Sequence, residues 1–334
     1  MSEIKTDIDT ATFIPVIRFT PRFRTVRWGG RRIAGFKGID LPSDRVGESW
    51  EISPLEGMET VVAEGPFKGL TLNELMHKHS DAILGARLMR RFGCHFPLLI
   101  KFLDAEDDLS IQVHPDDQSS NGNGKTELWY IIDAVPGTHI YSGLNQELTP
   151  EQMRRHIDER SLADVLAKHF PETGDVFYIP AGRVHSAGAG NFLLEIQQPS
   201  DITYRLWDWD RRDQKGQLRE LHVDQALSAI DYSQTDYGLV RPQLPADRET
   251  VVKRTPFFTV SVLNVVSRIK LPVSQRKSFR VLVSVEGSGT VTDPQGNVTA
   301  IKRGETLLVP EAIPYVNIAS KHEEPLKVIT IYIE

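Results

Sequence analysis

The chain has little of what would place it outside ordinary globular proteins. Its 334 residues include a single cysteine, Cys94, so no intramolecular disulfide can form, which fits a reducing compartment. Cys94 lies between Phe92 and Phe96 and reads as a core thiol. No run of roughly eighteen apolar residues occurs, so no membrane-spanning helix is expected. The first ten residues, MSEIKTDIDT, are polar and acidic and lack the apolar segment of a secretion signal, which makes the cytoplasm the expected location. There is no block of positive charge either: 39 Lys and Arg face 45 Asp and Glu, for a formal net charge of −6. Nucleic acid and anionic membranes are therefore poor partners. At 25% charged and 40% hydrophobic residues, the chain can bury a large core as one unit or two.

What is present is mostly strand. FPLLIKFLDA (96–105), LSIQVHP (109–115), ELWYIID (127–133), THIYSG (138–143), DVFYIPAG (175–182) and FLLEIQQ (192–198) are rich in branched and aromatic residues and close in turn residues. Two stretches predict helices. In 71–93, Thr71 and Glu74 form a capping box ahead of an apolar stripe from Leu72 to Leu88. In 149–170, Thr149 is the cap, Pro150 the first helical residue and Gln152 the capping-box partner. A shorter helix is expected at 222–230. Residues 234–250 are polar and aperiodic and read as a linker, after which strands resume to the end of the chain. An internal echo relates the two halves. Gly174-Asp-Val-Phe-Tyr-Ile-Pro180 matches Gly304-Glu-Thr-Leu-Leu-Val-Pro310, and five residues beyond each proline stand His185 and Tyr315. If the halves are copies, the second has lost a histidine.

Four residues in three short segments carry the chemistry: Gln112 and His114 in SIQVHPDD, Glu127 in GKTELWYIID, and His185 in GDVFYIPAGRVHS. In a strand, Gln112 and His114 point the same way. A loop with two Asn-Gly pairs, SSNGNGK (119–125), can return the chain so that Glu127 lies on a neighbouring strand. Two imidazoles, a carboxylate and an amide oxygen suit one zinc or another first-row divalent ion. Any one of these residues alone would read as structural. Together they argue for a metal, because buried ionisable groups are costly unless paired or metallated.

The segment Gly174 to His185, a glycine, five residues, then Pro-x-Gly-x-x-His, resembles the second cupin motif. The first motif is altered, with Gln-x-His for His-x-His and Glu127 thirteen residues on. Over nearly its whole length the chain resembles the type I mannose-6-phosphate isomerases in their short bacterial form. The resemblance is carried by RWGGRRI (27–33), GESWEIS (47–53), FPLLIKFLDAEDDLSIQVHPDD (96–117), GKTELWYIID (124–133), FYIPAGRVHS (177–186) and LLEIQQPSDITYRLWDWDR (193–211). It implies a mainly β fold of two cupin-type β-barrels, or jelly rolls, with a small helical insertion. The catalytic metal-binding barrel would span 1–233, with helices near 71–92 and 149–170, and a degenerate barrel without a metal would span 251–334. It also implies one Zn2+ per chain on Gln112, His114, Glu127 and His185, active-site residues Lys125, Glu195 and Arg205, and phosphate contacts at Lys101 and Ser110.

The residues themselves suit an aldose–ketose isomerisation, which moves a proton between C1 and C2 through a cis-enediol. A Lewis-acidic ion, a base and fixed positive charge are what that step needs. The acid/base role stays open among Glu195, Lys125 and a water held by the ion. The expected partner is a small sugar phosphate, and the chain is expected to be a monomer or a homodimer. Two other readings compete: a sugar-binding or regulatory relative without turnover, which should lack a ligand or base, and a cupin oxygenase, which should offer three histidines.

Overall fold

The structure is a computed structural model that describes residues 13–41, 43–212, 215–234, 237–321 and 324–334. The N-terminal ten residues, whose composition bears on a secretion signal, lie outside the described residues. The fold is mainly β, in four antiparallel sheets. One seven-stranded sheet runs in the order 239–240, 176–179, 127–134, 191–197, 99–104, 46–52, 22–30, and a five-stranded sheet faces it in the order 204–207, 111–113, 185–187, 140–144, 166–169. A second pair consists of a seven-stranded sheet (249–254, 259–265, 326–332, 280–286, 306–309, 17–20, 61–62) and a four-stranded one (268–272, 315–320, 288–292, 298–302).

The layers follow from side-chain alternation. In Glu127–Ala134, Trp129 and Ile131 point into the first pair of sheets, while Leu128 and Tyr130 point away from it. Both faces are apolar, so both must be covered. The outward face packs on the large sheet of the second pair, through Val260, Val281, Val283, Leu308 and Ile329, with the helix Leu72–Phe92 along one side. The five-stranded sheet is backed by the helices Pro150–Asp158 and Val223–Ala229 through Met153, Ile157 and Ala226. The second pair encloses its own core, with Leu271, Leu282, Val291 and Ile318.

Both capping boxes form: Thr71 N–H donates to Glu74 Oε2 at 2.8 Å, and Thr149 N–H to Gln152 Oε1 at 2.7 Å. The first helix is broken at His79 and at Gly85, whose φ of +75° favours glycine. The break frees the carbonyls of Ala82 and Ile83, which accept the N–H groups of Ala312 and Glu311 at 3.0 Å each. The helix is thereby stitched to the second pair of sheets.

The second predicted helix requires correction. It ends at Asp158; Arg160 turns left-handed (φ +59°), Leu162–Val165 makes one 3-10 turn, and Leu166–His169 is a strand paired with Ile140–Leu144. Leu162, Val165 and Leu166 keep the buried spacing of a helical stripe, but the strand pairing outweighs helix propensity at this sheet edge. Within the expected linker 234–250, the described residues from 237 on include regular structure. Leu239–Val240 pairs with Val176–Phe177, and Glu249 opens a strand of the second pair. At the other end of the chain, Ile17–Thr20 joins the sheet built mostly from C-terminal strands.

The internal echo extends to backbone hydrogen bonding. Gly174 N–H donates to Ile131 and Ile131 N–H to Asp175, at 2.8 and 2.9 Å; Gly304 N–H donates to Ser284 and Ser284 N–H to Glu305, at 2.8 and 3.0 Å. His185 and Tyr315 then begin corresponding strands.

Candidate metal centre and cleft

The site lies between the two sheets of the first pair. The seven-stranded sheet supplies Glu127, Glu195 and Lys101 on three adjacent strands, with Glu195 opposite both Lys101 and Trp129. The five-stranded sheet supplies Gln112, opposite both His185 and Arg205, and His114 just past the end of the same strand. Lys125 is delivered by the 116–124 loop. Asp116 caps the loop's first turn through Ser119 N–H at 2.7 Å, and Asp117 accepts from Gly124 N–H at 3.0 Å. The eight positions thus meet through strand register and one folded loop.

His114, Glu127 and His185 are fully buried, and their ligand atoms lie within 4.8 Å of one another. Glu127 Oε2 is 3.4 Å from His114 Nε2, and Oε1 is 3.3 Å from His185 Nε2. Each imidazole is turned by its other nitrogen: His114 Nδ1 bonds Ile202 O and His185 Nδ1 bonds Arg183 O, both at 2.8 Å. Donation at Nδ1 leaves the Nε2 lone pairs facing the cage, the orientation metal-binding histidines adopt. Both Glu127 oxygens are buried without a well-oriented hydrogen-bond donor. The Lys125 ammonium, 2.8 Å from Oε2, faces one of them, and Oε1, 3.3 Å from His185 Nε2, is left without a donor or a cation of its own. The Gln112 amide lies 3.3 Å from His185 Nε2, with its other end 3.2 Å from Ser110 Oγ. Turning it over presents Oε1 to the cage and leaves its NH2 to the hydroxyl. The donor set of two imidazoles, a carboxylate and an amide fits a first-row divalent ion.

The charges fit as well. Burial, and then the Lys125 charge, push His114 down to about 3, so it is neutral near pH 7. Burial works against ionised Glu127, but the neighbouring Lys125 ammonium holds it well below the usual carboxylate range. Burial also opposes the Lys125 ammonium, yet Glu127 and Glu195 raise its pKa. Its Nζ stands 2.8 Å from Glu127 Oε2, 3.1 Å from His114 Nε2 and 3.9 Å from Glu195 Oε1.

Above the cage opens a cleft of about 100 Å³, lined by Lys101, Ser110, Gln112, Lys125, Glu195 and Arg205 among others. Lys101 Nζ is 3.1 Å from Glu195 Oε1 and 4.6 Å from the Trp50 ring centroid, while Trp129 Nε1 donates to Glu195 Oε2 at 3.0 Å. All nine residues singled out in the sequence therefore lie in the cage or on the cleft wall.

The sequence reading missed the cleft's outer wall, where Arg24 and Arg219 stand with Arg205. Burial and neighbouring guanidinium groups lower the pKa of both Arg205 and Arg219, Arg219 acting on Arg205 and Arg211 on Arg219, and Arg205 Nε is buried without a partner. Arg24 reaches Asp201 at 3.2 Å. The only available signal was the alternation of Arg24, Val26 and Trp28 along one strand face; Arg219 sits in a loop with no pattern around it. Asp208 is buried, paired with Arg211 and 3.9 Å from Arg219.

The model of the family "Phosphomannose isomerase type I, catalytic domain" matches residues 16–134. The mannose-6-phosphate isomerase ManA of Bacillus subtilis is 36% identical over 299 residues, covering 87% of this chain and 92% of its own length. The mannose-6-phosphate isomerase of Streptococcus mutans is 35% identical, covering 86% of this chain and 89% of its own. Among solved structures, a mannose 6-phosphate isomerase from Bacillus subtilis superposes with a TM-score of 0.81 at 30% identity, covering 96% of this chain and all of that one. A phosphomannose isomerase variant from Salmonella typhimurium shares the fold at a TM-score of 0.78 and 15% identity, over 96% of this chain and 100% of that one. With a relative more than one-third identical along most of both chains, this chain belongs to the type I phosphomannose isomerases.

Proposed function

We propose that the chain is a metal-dependent aldose–ketose isomerase that interconverts mannose 6-phosphate and fructose 6-phosphate, with one zinc ion per chain. The observation that carries this reading is the buried cage of His114, Glu127 and His185 at the floor of a cleft whose wall holds the Glu195 carboxylate. Gln112 completes the ligand set. When bound, the ion supplies Lewis acidity toward the oxygens on C1 and C2. Glu195 is the group we assign to moving the proton between those carbons. Lys101 and Trp129 fix its two oxygens, and Lys125 stands close enough to exchange charge with it. Arg205 stabilises negative charge that develops on the sugar oxygens. The sheets exclude water from the floor of the cleft, which strengthens each of these interactions.

The phosphate end belongs, in this reading, at the outer wall. Arg24, Arg205 and Arg219 line the cleft together, Arg205 Nε has no partner, and guanidinium groups match phosphate geometry. Ser110 remains a candidate contact. Lys101, engaged by Glu195, is better placed to orient that carboxylate than to hold a phosphate. A cytoplasmic location suits a phosphorylated substrate. A coupled assay on mannose 6-phosphate and on free mannose, before and after chelation and zinc return, tests the proposal. Turnover unaffected by stripping the metal, or none with the phosphorylated sugar, would defeat it.

A further inference from the structure

The second pair of sheets contains a buried polar cluster at the place that corresponds, strand by strand, to the metal site. Register alone makes the match. Arg280 opposes Val309 as Glu127 opposes Ile179. Thr330 opposes Leu282 as Glu195 opposes Trp129. Ser261 opposes Thr330 as Lys101 opposes Glu195. Glu249 opposes Leu263 as Glu48 opposes Leu103. A guanidinium therefore stands where the first site has a metal-binding carboxylate.

That guanidinium is fully buried and only partly satisfied. Arg280 Nη1 donates to Glu249 Oε1 at 2.7 Å, and its carbon lies 3.9 Å from the Tyr332 ring centroid. Nε and Nη2 have no hydrogen-bond partner, and neither do the buried hydroxyls of Thr259 and Ser261, which lie on the far side of strand 326–332 from Arg280. Register places Thr259 beside Tyr332 and Ser261 beside Thr330, the residues Arg280 touches. Every unmet group in the cluster can donate, so the missing partner is an acceptor. Of the Arg280 nitrogens, Nη1 alone is engaged by a carboxylate, that of Glu249.

We infer that this cluster is a binding site for one small inorganic anion of halide size, held by Arg280 Nε and Nη2 and by the Ser261 and Thr259 hydroxyls. The fixed guanidinium does there what the divalent ion does in the first site: it supplies the positive charge around which the polar groups of two strands are arranged. Complete burial of Arg280, Ser261 and Thr330 restricts the ligand to something compact.

The test uses the full chain with bromide as the probe. Crystals grown in sodium bromide should show an anomalous peak within about 3.5 Å of Arg280 Nε and Nη2, the range of a hydrogen bond to an anion. Melting in bromide should exceed melting in gluconate at equal ionic strength. Ser261→Ala should weaken the effect, and Arg280→Met should abolish it. Glu249→Gln, which removes the competing negative charge without shortening the side chain, should tighten bromide binding by at least about tenfold. Inorganic phosphate should not displace the bromide. Ordered water alone at Arg280, with equal melting in both salts and no response to Glu249→Gln, would overturn the inference. If Arg280→Met does not fold, the Ser261 and Glu249 variants still decide it.

Discussion

Replacing Glu195 with glutamine separates catalysis from architecture at the centre of the cleft. The carboxylate is buried, with Lys101 Nζ at 3.1 Å and the Trp129 N–H at 3.0 Å on its two oxygens. Glutamine keeps the shape but has one acceptor oxygen, so its NH2 must face either the ammonium or the indole N–H, and both are donors. One buried donor loses its partner, at about 1–3 kcal/mol, and Lys101 loses its counter-charge. A drop of roughly 3 kcal/mol leaves a fold of ordinary stability intact. The metal cage is built on other side chains, so the variant should bind its ion in full. If Glu195 moves the C1–C2 proton, kcat should fall by about two to four powers of ten, and solvent deuterium should no longer enter the sugar. Steady-state kinetics, exchange into C1 and C2, metal analysis and a melt on the same sample give the answer. A variant with a lower melting temperature but near-normal kcat and exchange would refute the assignment. Glu195 would then be the group that holds Lys101, and Lys125 would become the better base.

His114→Ala and His185→Ala should each abolish activity and bring bound metal from about one ion per chain to a small fraction, measured by elemental analysis; activity and metal retained in both would sink the cage. Arg219→Ala should raise KM for the sugar phosphate by about tenfold to a hundredfold, the worth of a charge-assisted hydrogen bond, with little change for free mannose. Lys101→Ala should instead lower kcat for both sugars. In the metal-free chain, His114 is held at about 3 against 6.5 unfolded. Below pH ~6.5 the unfolded chain takes up a proton that the fold refuses, so stability should fall as the pH drops, by up to about 1.4 kcal/mol per unit. Denaturant melts of apo wild type and His114→Gln between pH 7 and 4 should differ in that slope, and parallel curves would contradict it.

The cage was legible in the sequence because its ligands come from strands and from one stereotyped turn. Period-two alternation puts Gln112 and His114 on one face, and the Pro-Ala-Gly turn fixes where His185 enters. The cleft wall was legible only in part. Lys101 and Glu195 stand out as charges inside apolar runs, whereas Arg219 depends on how a loop folds back and on Asp208 being buried under it. The helix read through 149–170 failed for a similar reason. Leu162, Val165 and Leu166 satisfy a helical stripe and equally a 3-10 turn followed by an edge strand, and only the partner strand Ile140–Leu144 decides between them.

The second pair of sheets bears on the site although it supplies no residue to it. Strand Val46–Ile52 has two working faces. Glu48 lines the cleft and accepts the Trp50 indole N–H at 2.6 Å, while the Trp50 ring covers Lys101. On the other face, Glu51 takes Lys37 Nζ at 2.9 Å and the hydroxyls of Ser49 and Thr306, and Lys37 also donates to Gly304 O. Thr306 and Gly304 belong to the segment that echoes 174–180. The strand that places Trp50 over Lys101, which in turn pairs with Glu195, is therefore clamped from behind by the buried Lys37–Glu51 pair, and Gly304 O and the Thr306 hydroxyl tie that pair to the other half of the chain. A buried pair of this kind adds little net stability but strongly penalises any shift that separates its members. The second half thus braces from behind the strand that carries Glu48 and Trp50 of the cleft wall.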